Sequence, residues 1–243
     1  MKISVCMATY NGSRFIEKQI QSILPQLSYN DELVIVDDCS SDQTVNLIQK
    51  FTDSRIKLWE NTKNLGAIKN FEKSITNAEG DIIFLSDQDD IWMPDKVKEV
   101  TSVFTQRQEV TLVITNLQVI DEHDNLVPNS KLVGDFRPGL IQNFVKSKFR
   151  GCTLAVRQPM LKYFLPFPED IPMHDMWIGL VNEIYGQTLY IDKPLLQYRR
   201  HSSNVTSENH AEIRQMIKWR YALFKNLSML ILKKMLFDSN NFP

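Results

Sequence analysis

The sequence predicts an α/β fold in which helices cover both faces of a mostly parallel sheet. Three short apolar runs, residues 3–8, 33–36 and 82–85, each end in a cluster of polar residues, as buried strands do. Helical patterns, with apolar residues three and four positions apart, separate these runs. Strands that alternate with helices in this way form a parallel, doubly wound sheet, so all three polar clusters should lie at its carboxyl edge.

The first half of the chain supplies the remaining elements of this pattern. A further strand is predicted over residues 56–59. The predicted helices cover residues 15–24, 45–51 and 67–78. Ser41 and Asp42 are suitable caps for the second of these helices, because their side-chain oxygens accept hydrogen bonds from free backbone N–H groups.

The second half has a less regular pattern. Strands are predicted over residues 111–115, 153–156 and 188–191, and a short helix over residues 176–184. Prolines interrupt the segments between them, which predicts loops. A final helical segment is expected over residues 211–237. We therefore expect the chain to divide near residues 105 and 205.

Composition restricts the classes of function. The chain has 243 residues, 43% of them apolar, and a net charge of -1 without a long basic stripe, which argues against disorder and against a nucleic-acid partner. Cys6, Cys39 and Cys152 are widely spaced, as reduced thiols in a cytosolic protein are. Neither a secretory signal nor an apolar run long enough for a transmembrane helix is predicted.

The most informative run is residues 82–90, a predicted strand that ends in three aspartates among four residues. Carboxylate oxygens suit a hard cation such as Mg²⁺ or Mn²⁺. Strand alternation would place Asp87 and Asp89 on one side and Gln88 on the other, so both carboxylates could reach one ion or its diphosphate ligand. A solvated acidic turn explains the run equally well when it is taken alone.

Polar residues also follow the first two strands. Asp38, with its neighbour Asp37, could accept hydrogen bonds from a nucleobase or a ribose, although helix capping is the commoner role of such residues. Thr9, Tyr10 and Asn11 could cover the same base with a ring and an amide, or could simply form the strand-to-helix turn with the glycine that follows.

Two basic residues are candidates for contacts with phosphate or metal. Lys69 could bind a diphosphate, although an exposed helical lysine is the more common explanation. His201 follows the last predicted strand and could supply a nitrogen ligand or a phosphate contact, although most single histidines are not ligands.

His174, Asp175 and Trp177 open the predicted helix in the second half. The Asp175 carboxylate could serve as a general base, and the Trp177 indole could form a platform for a sugar ring. An acidic residue in the first helical turn beside a core tryptophan is about as good an explanation for this segment alone.

Together these segments resemble the family 2 glycosyltransferases over roughly the first two hundred residues. Residues 5–12 resemble the opening strand and turn of that family, and residues 34–44 resemble its nucleoside-binding segment. Residues 64–66 resemble the loop before its next helix, and residues 87–90 its DXD motif. The pair His174-Asp175 resembles the acceptor-side acidic motif, although many members have Glu-Asp there.

The resemblance implies a GT-A fold and assigns roles to these residues. Asp38 would contact the base, Asp87 the ribose or the metal, Asp89 the metal, and Asp175 would be the catalytic base. The implied donor-binding residues are Thr9, Tyr10, Asn11, Asp38, Lys69, Asp87 and Gln88. His174 and Trp177 would contact the acceptor, and the metal ligands would be Asp87, Asp89 and His201. The implied parts are a nucleotide-sugar-binding half (1–105), an acceptor-binding half (106–205) and an amphipathic tail (206–243).

The segments 86–92 and 198–201 most resemble bacterial enzymes that build surface polysaccharides. The resemblance implies an inverting, Mn²⁺- or Mg²⁺-dependent transfer from UDP-hexose or dTDP-rhamnose to a saccharide carried on polyprenyl diphosphate. In residues 211–237, six basic residues and abundant apolar ones accompany the single acid Glu212, which suits a helix on the inner face of an anionic membrane. Packing against the catalytic core or a dimer partner is the alternative.

Two other classes of protein use similar residues. A nucleotidyltransferase also places acidic strand ends around a divalent ion, but it should have a triphosphate loop rich in glycine and basic residues. The turn after the first strand has only Gly12 and Arg14 for that purpose. A non-catalytic nucleotide-sugar-binding protein would not depend on Asp175, and the complete acidic set favours an enzyme.

Overall fold

A computed structural model describes residues 1–128, 130, 134, 136–201 and 213–240 of the chain. Within these ranges the strands are β1 (Ile3–Thr9), β2 (Glu32–Asp37), β3 (Ile56–Glu60), β4 (Ile82–Ser86), β5 (Ile91–Trp92), β6 (Leu112–Ile120), β7 (Leu154–Arg157) and β8 (Thr188–Arg199). The helices are α1 (Ile16–Ile23), α2 (Thr44–Gln49), α3 (Ala67–Thr76), α4 (Lys96–Gln106), α5 (Leu140–Val145), α6 (Leu161–Phe164), α7 (His174–Tyr185) and α8 (Ile213–Asn240). Short 3₁₀ turns occupy Leu24–Gln26, Gly151–Thr153 and Gln158–Met160.

All eight strands form one sheet in the order β3-β2-β1-β4-β7-β6-β8-β5. The first four pair in parallel, with Thr9 opposite Asp37 and Met7 opposite Ser86. This register brings the ends of β1, β2 and β4 to one edge of the sheet. The polar segments that follow these strands are therefore neighbours, as the sequence predicts.

The second half of the chain extends the same sheet. Strand β7 runs antiparallel to both β4 and β6, while β6 and β8 are parallel and β5 is antiparallel to β8. Six strands thus share one direction, and the prediction of a mostly parallel sheet is confirmed. The division of the chain near residue 105 stays a prediction, since strands from both sides of it belong to one sheet.

Helices cover both faces because side chains alternate along the buried strands. On β4, Ile82 and Phe84 belong to one core, and Ile83 and Leu85 belong to the other. The first core contains apolar residues of α1, α2 and α4. The second contains those of α3, α6, α7 and α8. The strands are apolar on both faces, which is the pattern of parallel strands buried between two helical layers.

Every strand and helix predicted from the sequence is present. Strand β5 and helices α4, α5 and α6 were not predicted, and strands β6 and β8 are longer than predicted. Strand β6 continues through Asn116, with register shifts on both sides of that residue. Strand β8 continues through Asp192, Lys193 and Pro194. Two charged residues followed by a proline are typical of a turn, so the strand was predicted to end before them.

The predicted C-terminal helix is present as α8, with Ala222, Leu223 and Leu227 buried. Residues 206–212 and 241–243 of the predicted tail lie outside the described residues. Within the described ranges, none of the helices combines the length and apolar character that crossing a bilayer would require.

Candidate functional site

Polar side chains from five parts of the fold meet at the carboxyl edge of the sheet. They come from the ends of β1, β2, β4 and β8 and from the first turn of α7. Hydrogen bonds between these segments hold most of the loops at this edge.

Asp37 joins the ends of the first two strands. Its Oδ1 accepts hydrogen bonds from Thr9 Oγ1 (2.8 Å) and Ser40 Oγ (2.6 Å), and its Oδ2 accepts one from Ser40 N (2.8 Å). Thr9, a predicted donor-binding residue, is buried and its hydroxyl serves this contact. Thr9 and Asp37 therefore hold the ends of β1 and β2 together at this edge of the sheet.

Asp38 holds the loop that leads into α3. Its Oδ1 accepts hydrogen bonds from Asn61 Nδ2 and Leu65 N, and its Oδ2 accepts one from Gly66 N, each 2.8 Å long. Gly66 has φ of +83°, a conformation that glycine adopts without steric cost. Asp38 is buried, and its predicted contact with a nucleobase stays a prediction.

The turn after β1 is fixed by two amides. Gln88 Oε1 accepts a hydrogen bond from Tyr10 N (2.9 Å), and Gln88 Nε2 donates one to Tyr10 O (3.0 Å). Asn11 has φ of +47°, and its Oδ1 accepts a hydrogen bond from Ser41 N (2.9 Å). The Gln88 and Asn11 side chains thus position loops, while the Tyr10 ring is about half exposed and open to a ligand.

Lys69 lies in the first turn of α3. Its Nζ donates a hydrogen bond to Glu72 Oε2 (2.8 Å) and a longer one to Phe167 O (3.4 Å). The ion pair with Glu72 partly neutralises the ammonium, and a contact of Lys69 with a diphosphate stays a prediction.

The acidic run lies beyond β4 and not on it. Strand β4 ends at Ser86, so strand alternation does not continue through the aspartates. Asp89 instead faces the end of β8, where its Oδ2 lies 2.8 Å from His201 Nε2. Asp87 faces Asp90 and Cys152, and ligand atoms of these three residues all lie within 4.8 Å of one another.

Arg199 ties the acidic turn to β8. Its backbone N donates to Asp90 Oδ1 (3.0 Å), and its Nε donates to Asp89 O (2.7 Å). The guanidinium also donates to Asp121 O (3.0 Å) and lies over the Phe15 ring, 4.7 Å from its centroid. This buried cation fixes the backbone from which the aspartates project.

Negative charge is concentrated at this turn. Burial, together with the charges of Asp89 and Asp175, raises the pKa of Asp87 to about 7. Burial, together with the charges of Asp89 and Asp87, raises the pKa of Asp90 well above its usual range. A bound divalent cation would reduce the repulsion between these crowded carboxylates and favour their ionised forms. The chemistry of this donor set, crowded carboxylates with the imidazole of His201 beside Asp89, fits the Mn²⁺ or Mg²⁺ expected from the sequence.

Lys96 lies behind this acidic cluster, at the start of α4. Its Nζ donates to Cys152 O (2.7 Å) and lies 4.4 Å from the centroid of the Trp92 ring. Burial lowers the pKa of Lys96 to about 8. Its charge partly offsets that of Asp87 and Asp90.

Asp175 is placed in the same electrostatic environment by the first turn of α7. Its Oδ1 accepts a hydrogen bond from Met176 N (2.6 Å) and its Oδ2 accepts one from Gly151 N (3.1 Å). Burial raises the pKa of Asp175 to about 6, and its negative charge contributes to the raised pKa of Asp87. Residues 88 positions apart in the sequence thus form one charged site.

His174 and Trp177 lie in the second core beside Asp175. The His174 ring stacks on Phe71 with centroids 4.0 Å apart, and burial lowers its pKa to about 3, so the imidazole is neutral. Neither of its ring nitrogens has a hydrogen-bond partner among the described residues. Trp177 is buried and its Nε1 donates to Phe164 O (3.0 Å). Acceptor contacts of both residues stay predictions.

Comparison with known proteins assigns the family. Residues 4–164 match the sequence profile of Glycosyl transferase family 2. The chain belongs to this family. It is 30% identical over 227 residues to the dTDP-rhamnosyl transferase RfbG of Shigella flexneri, which covers 84% of this chain and 74% of the relative. It is 28% identical over 220 residues to the UDP-Glc:alpha-D-GlcNAc-diphosphoundecaprenol beta-1,3-glucosyltransferase WfgD of Escherichia coli, which covers 88% of this chain and 83% of the relative.

Solved structures with low sequence identity share the fold of this family 2 glycosyltransferase. Residues 1–349 of Staphylococcus aureus TarS in complex with UDP-GlcNAc superpose with a TM-score of 0.70 at 19% identity, over 87% of this chain and 62% of that one. The mannosyltransferase PcManGT of Pyrobaculum calidifontis, in complex with GDP-Man and Mn²⁺, superposes with a TM-score of 0.60 at 20% identity. The match covers 79% of this chain and 54% of that one. The chain spans less than two thirds of both structures. The GT-A fold that the resemblance implies is confirmed.

Several residues at the site were not assigned a role from the sequence. Lys96, Cys152 and Arg199 come from α4, a 3₁₀ turn and the last residue of β8, which are remote from the acidic run in sequence. Asp90 follows Asp89 directly in the acidic run, so its place in the sequence could have identified it as a site residue. The sequence carried no such signal for Cys152, because only the pairing of β7 with β4 brings it to Asp87.

We predict that Asp38→Ala will lower the free energy of unfolding by about 2 kcal/mol or more, because it leaves Leu65 N without its acceptor and removes one of the two acceptors of Gly66 N. Asp38→Asn keeps one carbonyl oxygen and should lose less. Urea unfolding measures both, and Glu17→Ala, which removes an exposed carboxylate of α1, is the control. Unchanged stability of Asp38→Ala would mean that the carboxylate does not hold the loop.

Proposed function

We propose that this glycosyltransferase transfers a sugar, with inversion, from a nucleotide-sugar donor to a lipid-linked saccharide in bacterial surface-polysaccharide synthesis. The observation that carries the proposal is that one 3₁₀ turn contacts both Asp175 and the acidic turn. Gly151 N donates to Asp175 Oδ2 (3.1 Å), and ligand atoms of Cys152, Asp87 and Asp90 lie within 4.8 Å of one another. A transferase of this kind needs a carboxylate base near the group that holds the donor diphosphate.

The donor would bind along the carboxyl edge. We propose that the half-exposed Tyr10 ring and the segment of Asp38 receive the base, with Thr9, Asn11 and Gln88 keeping their loops in position. Asp87 would contact the ribose or the metal, and Lys69 would lie towards the diphosphate. The names of RfbG and WfgD support dTDP-rhamnose or a UDP-hexose as the donor class.

The metal would be held by Asp87, Asp89 and His201, with Asp90 and Cys152 beneath Asp87. Bound Mn²⁺ or Mg²⁺ supplies positive charge that stabilises the leaving nucleoside diphosphate. The Mn²⁺ in the PcManGT complex supports this choice. Arg199 and Lys96 contribute by fixing the turn and by limiting its negative charge.

Asp175 would act as the base. Its ionised carboxylate accepts the proton of the acceptor hydroxyl while that oxygen forms a bond to the anomeric carbon and the bond from this carbon to the diphosphate oxygen breaks. Attack on the face opposite the leaving group inverts the anomeric centre. A pKa near 6 leaves the carboxylate ionised and still basic at neutral pH. The neutral His174 and Trp177 would border the acceptor side.

The acceptor would be a saccharide on polyprenyl diphosphate, as the name of WfgD suggests for that relative. Such an acceptor is met at the inner face of the cytoplasmic membrane, so we propose a cytoplasmic enzyme in peripheral contact with it.

The test of the donor site is a thermal-shift panel of UDP- and dTDP-sugars with and without Mn²⁺. We expect metal-dependent stabilisation by one donor in the wild type and in the control Glu17→Ala, and none in Asp89→Ala, because the latter loses a ligand for the metal that holds the diphosphate. Mn²⁺-dependent stabilisation of Asp89→Ala equal to that of the wild type would contradict the assignment.

The test of the base is Asp175→Asn, which should bind the donor normally and reduce turnover by about 10² or more. Near-normal turnover would move the base elsewhere. The products separate the reaction classes, since sugar transfer releases a nucleoside diphosphate, whereas nucleotidyl transfer from a triphosphate releases pyrophosphate. A non-catalytic binding protein would give neither product.

The pH profile tests the same role. Because the base must be ionised and burial raises its pKa to about 6, kcat/KM should fall as the pH drops below about 6 and should level off above it. Measurements at two saturating Mn²⁺ concentrations form the control, since protonation of the metal ligands would shift with the metal concentration. If the pH at which kcat/KM falls changes with the Mn²⁺ concentration, the titrating group is a metal ligand of the acidic turn and not Asp175.

A further inference from the structure

An apolar and basic surface formed by α5 and the first half of α8 has no partner in the described fold. Ile217, Tyr221 and Phe224 are 62%, 69% and 63% exposed, and they lie three and four residues apart on one side of α8. Ile141 and Val145 of α5 are also largely exposed. We call these five residues the docking face. Isolated exposed apolar residues are ordinary, but a contiguous group of this kind marks an interaction site.

The face is held rigidly on the catalytic core. Arg220 donates hydrogen bonds to Phe144 O and Val145 O and so joins the two helices. A groove of about 590 Å³ lies between them, lined by Phe144, Met216, Ile217, Arg220, Tyr221 and Phe224. On the opposite side of α8, Leu223 and Leu227 are buried in the second core. The face is therefore the side of an anchored helix that the fold leaves open.

The face lies beside α7. Asn226 of α8 contacts Asp170, just before α7, whereas Leu230 and Lys234 contact Tyr185 and Ile184 at the end of α7. Gly139, which precedes α5, donates a hydrogen bond to Glu183 Oε2 of α7 (2.8 Å). Both helices of the face are therefore attached to the helix that begins with His174 and Asp175.

The charge of α8 decides what this face contacts. Arg214, Lys218 and Lys225 are exposed beside Tyr221, and residues 214–236 contain six basic side chains and no acidic one. A second copy of the chain packed on the same face would bring these cations together. The headgroups of an anionic bilayer would pair with them instead, while the apolar side chains enter the interface.

We infer that the docking face binds the surface of an anionic lipid bilayer. This deepens the proposed function, since it specifies the lipid class and the surface that meet a lipid-linked acceptor. The binding itself does not depend on that activity, because neither helix contributes a residue to the acidic turn or to Asp175.

The experiment is sedimentation of the full chain with vesicles of phosphatidylcholine alone or with added phosphatidylglycerol. We expect binding to the anionic vesicles only, weakened by salt. Lys218→Ala/Lys225→Ala should lower the partition coefficient about 25-fold, from about 5-fold for each cation. Ile217→Gln/Phe224→Gln should lower it about tenfold or more. The matched controls are Lys50→Ala/Lys98→Ala and Tyr29→Gln, which change exposed residues elsewhere.

Equal binding to both vesicle types, or wild-type binding by the face variants, would overturn the inference. So would a dimer in gel filtration that Ile217→Gln/Phe224→Gln dissociates, because a second copy would then cover the face. Donor-induced thermal shift confirms that each variant is folded. A water-soluble acceptor keeps the two proposals separate: face variants should turn it over like the wild type, whereas failure of the proposed function would abolish turnover in every protein.

Discussion

The site depends on a buried guanidinium. Arg199, at the end of β8, donates to the carbonyl oxygens of Asp89 and Asp121 and contacts Phe15, while its backbone N binds Asp90. A buried charge is costly unless it is well paired, so this arrangement tolerates few alternatives. It joins the turn after β4 to the end of β8 and brings His201 to Asp89. The acidic turn therefore has one defined shape although its carboxylates repel one another.

Polar residues at this edge have two different roles, holding loops and providing charge for a ligand. Asp37, Asp38, Asn11 and Gln88 form hydrogen bonds that hold loops, and their side chains are largely satisfied within the protein. Asp87 differs, since its surroundings disfavour the ionised form. Polar groups with hydrogen-bond partners inside the protein stabilise the fold, whereas carboxylates whose ionised form is disfavoured gain from a bound cation. A motif at a strand end contains both kinds, and only their partners distinguish them.

Helix α8 shows how a packed element can also remain available to a partner. Its inner side completes the second core against α7, so the helix contributes to stability without any ligand. Its outer side keeps apolar and cationic residues in contact with solvent, close to α5. An anchored helix loses little conformational entropy when it meets a surface, which favours binding over that of a free tail.

Most strands and helices were predictable from the sequence, because apolar runs and helical spacing are local and strong here, but β5, α4, α5 and α6 were not. The polar clusters after β1, β2 and β4 were likewise predictable, since parallel strands end at one edge. The tertiary structure alone decided the partners of the acidic turn. Strand β4 ends at Ser86, so alternation did not extend to Asp89, and the antiparallel strand β7 brought Cys152 beneath Asp87. Asp175, Lys96 and Arg199 reach the turn through contacts between remote segments, which no local pattern encodes.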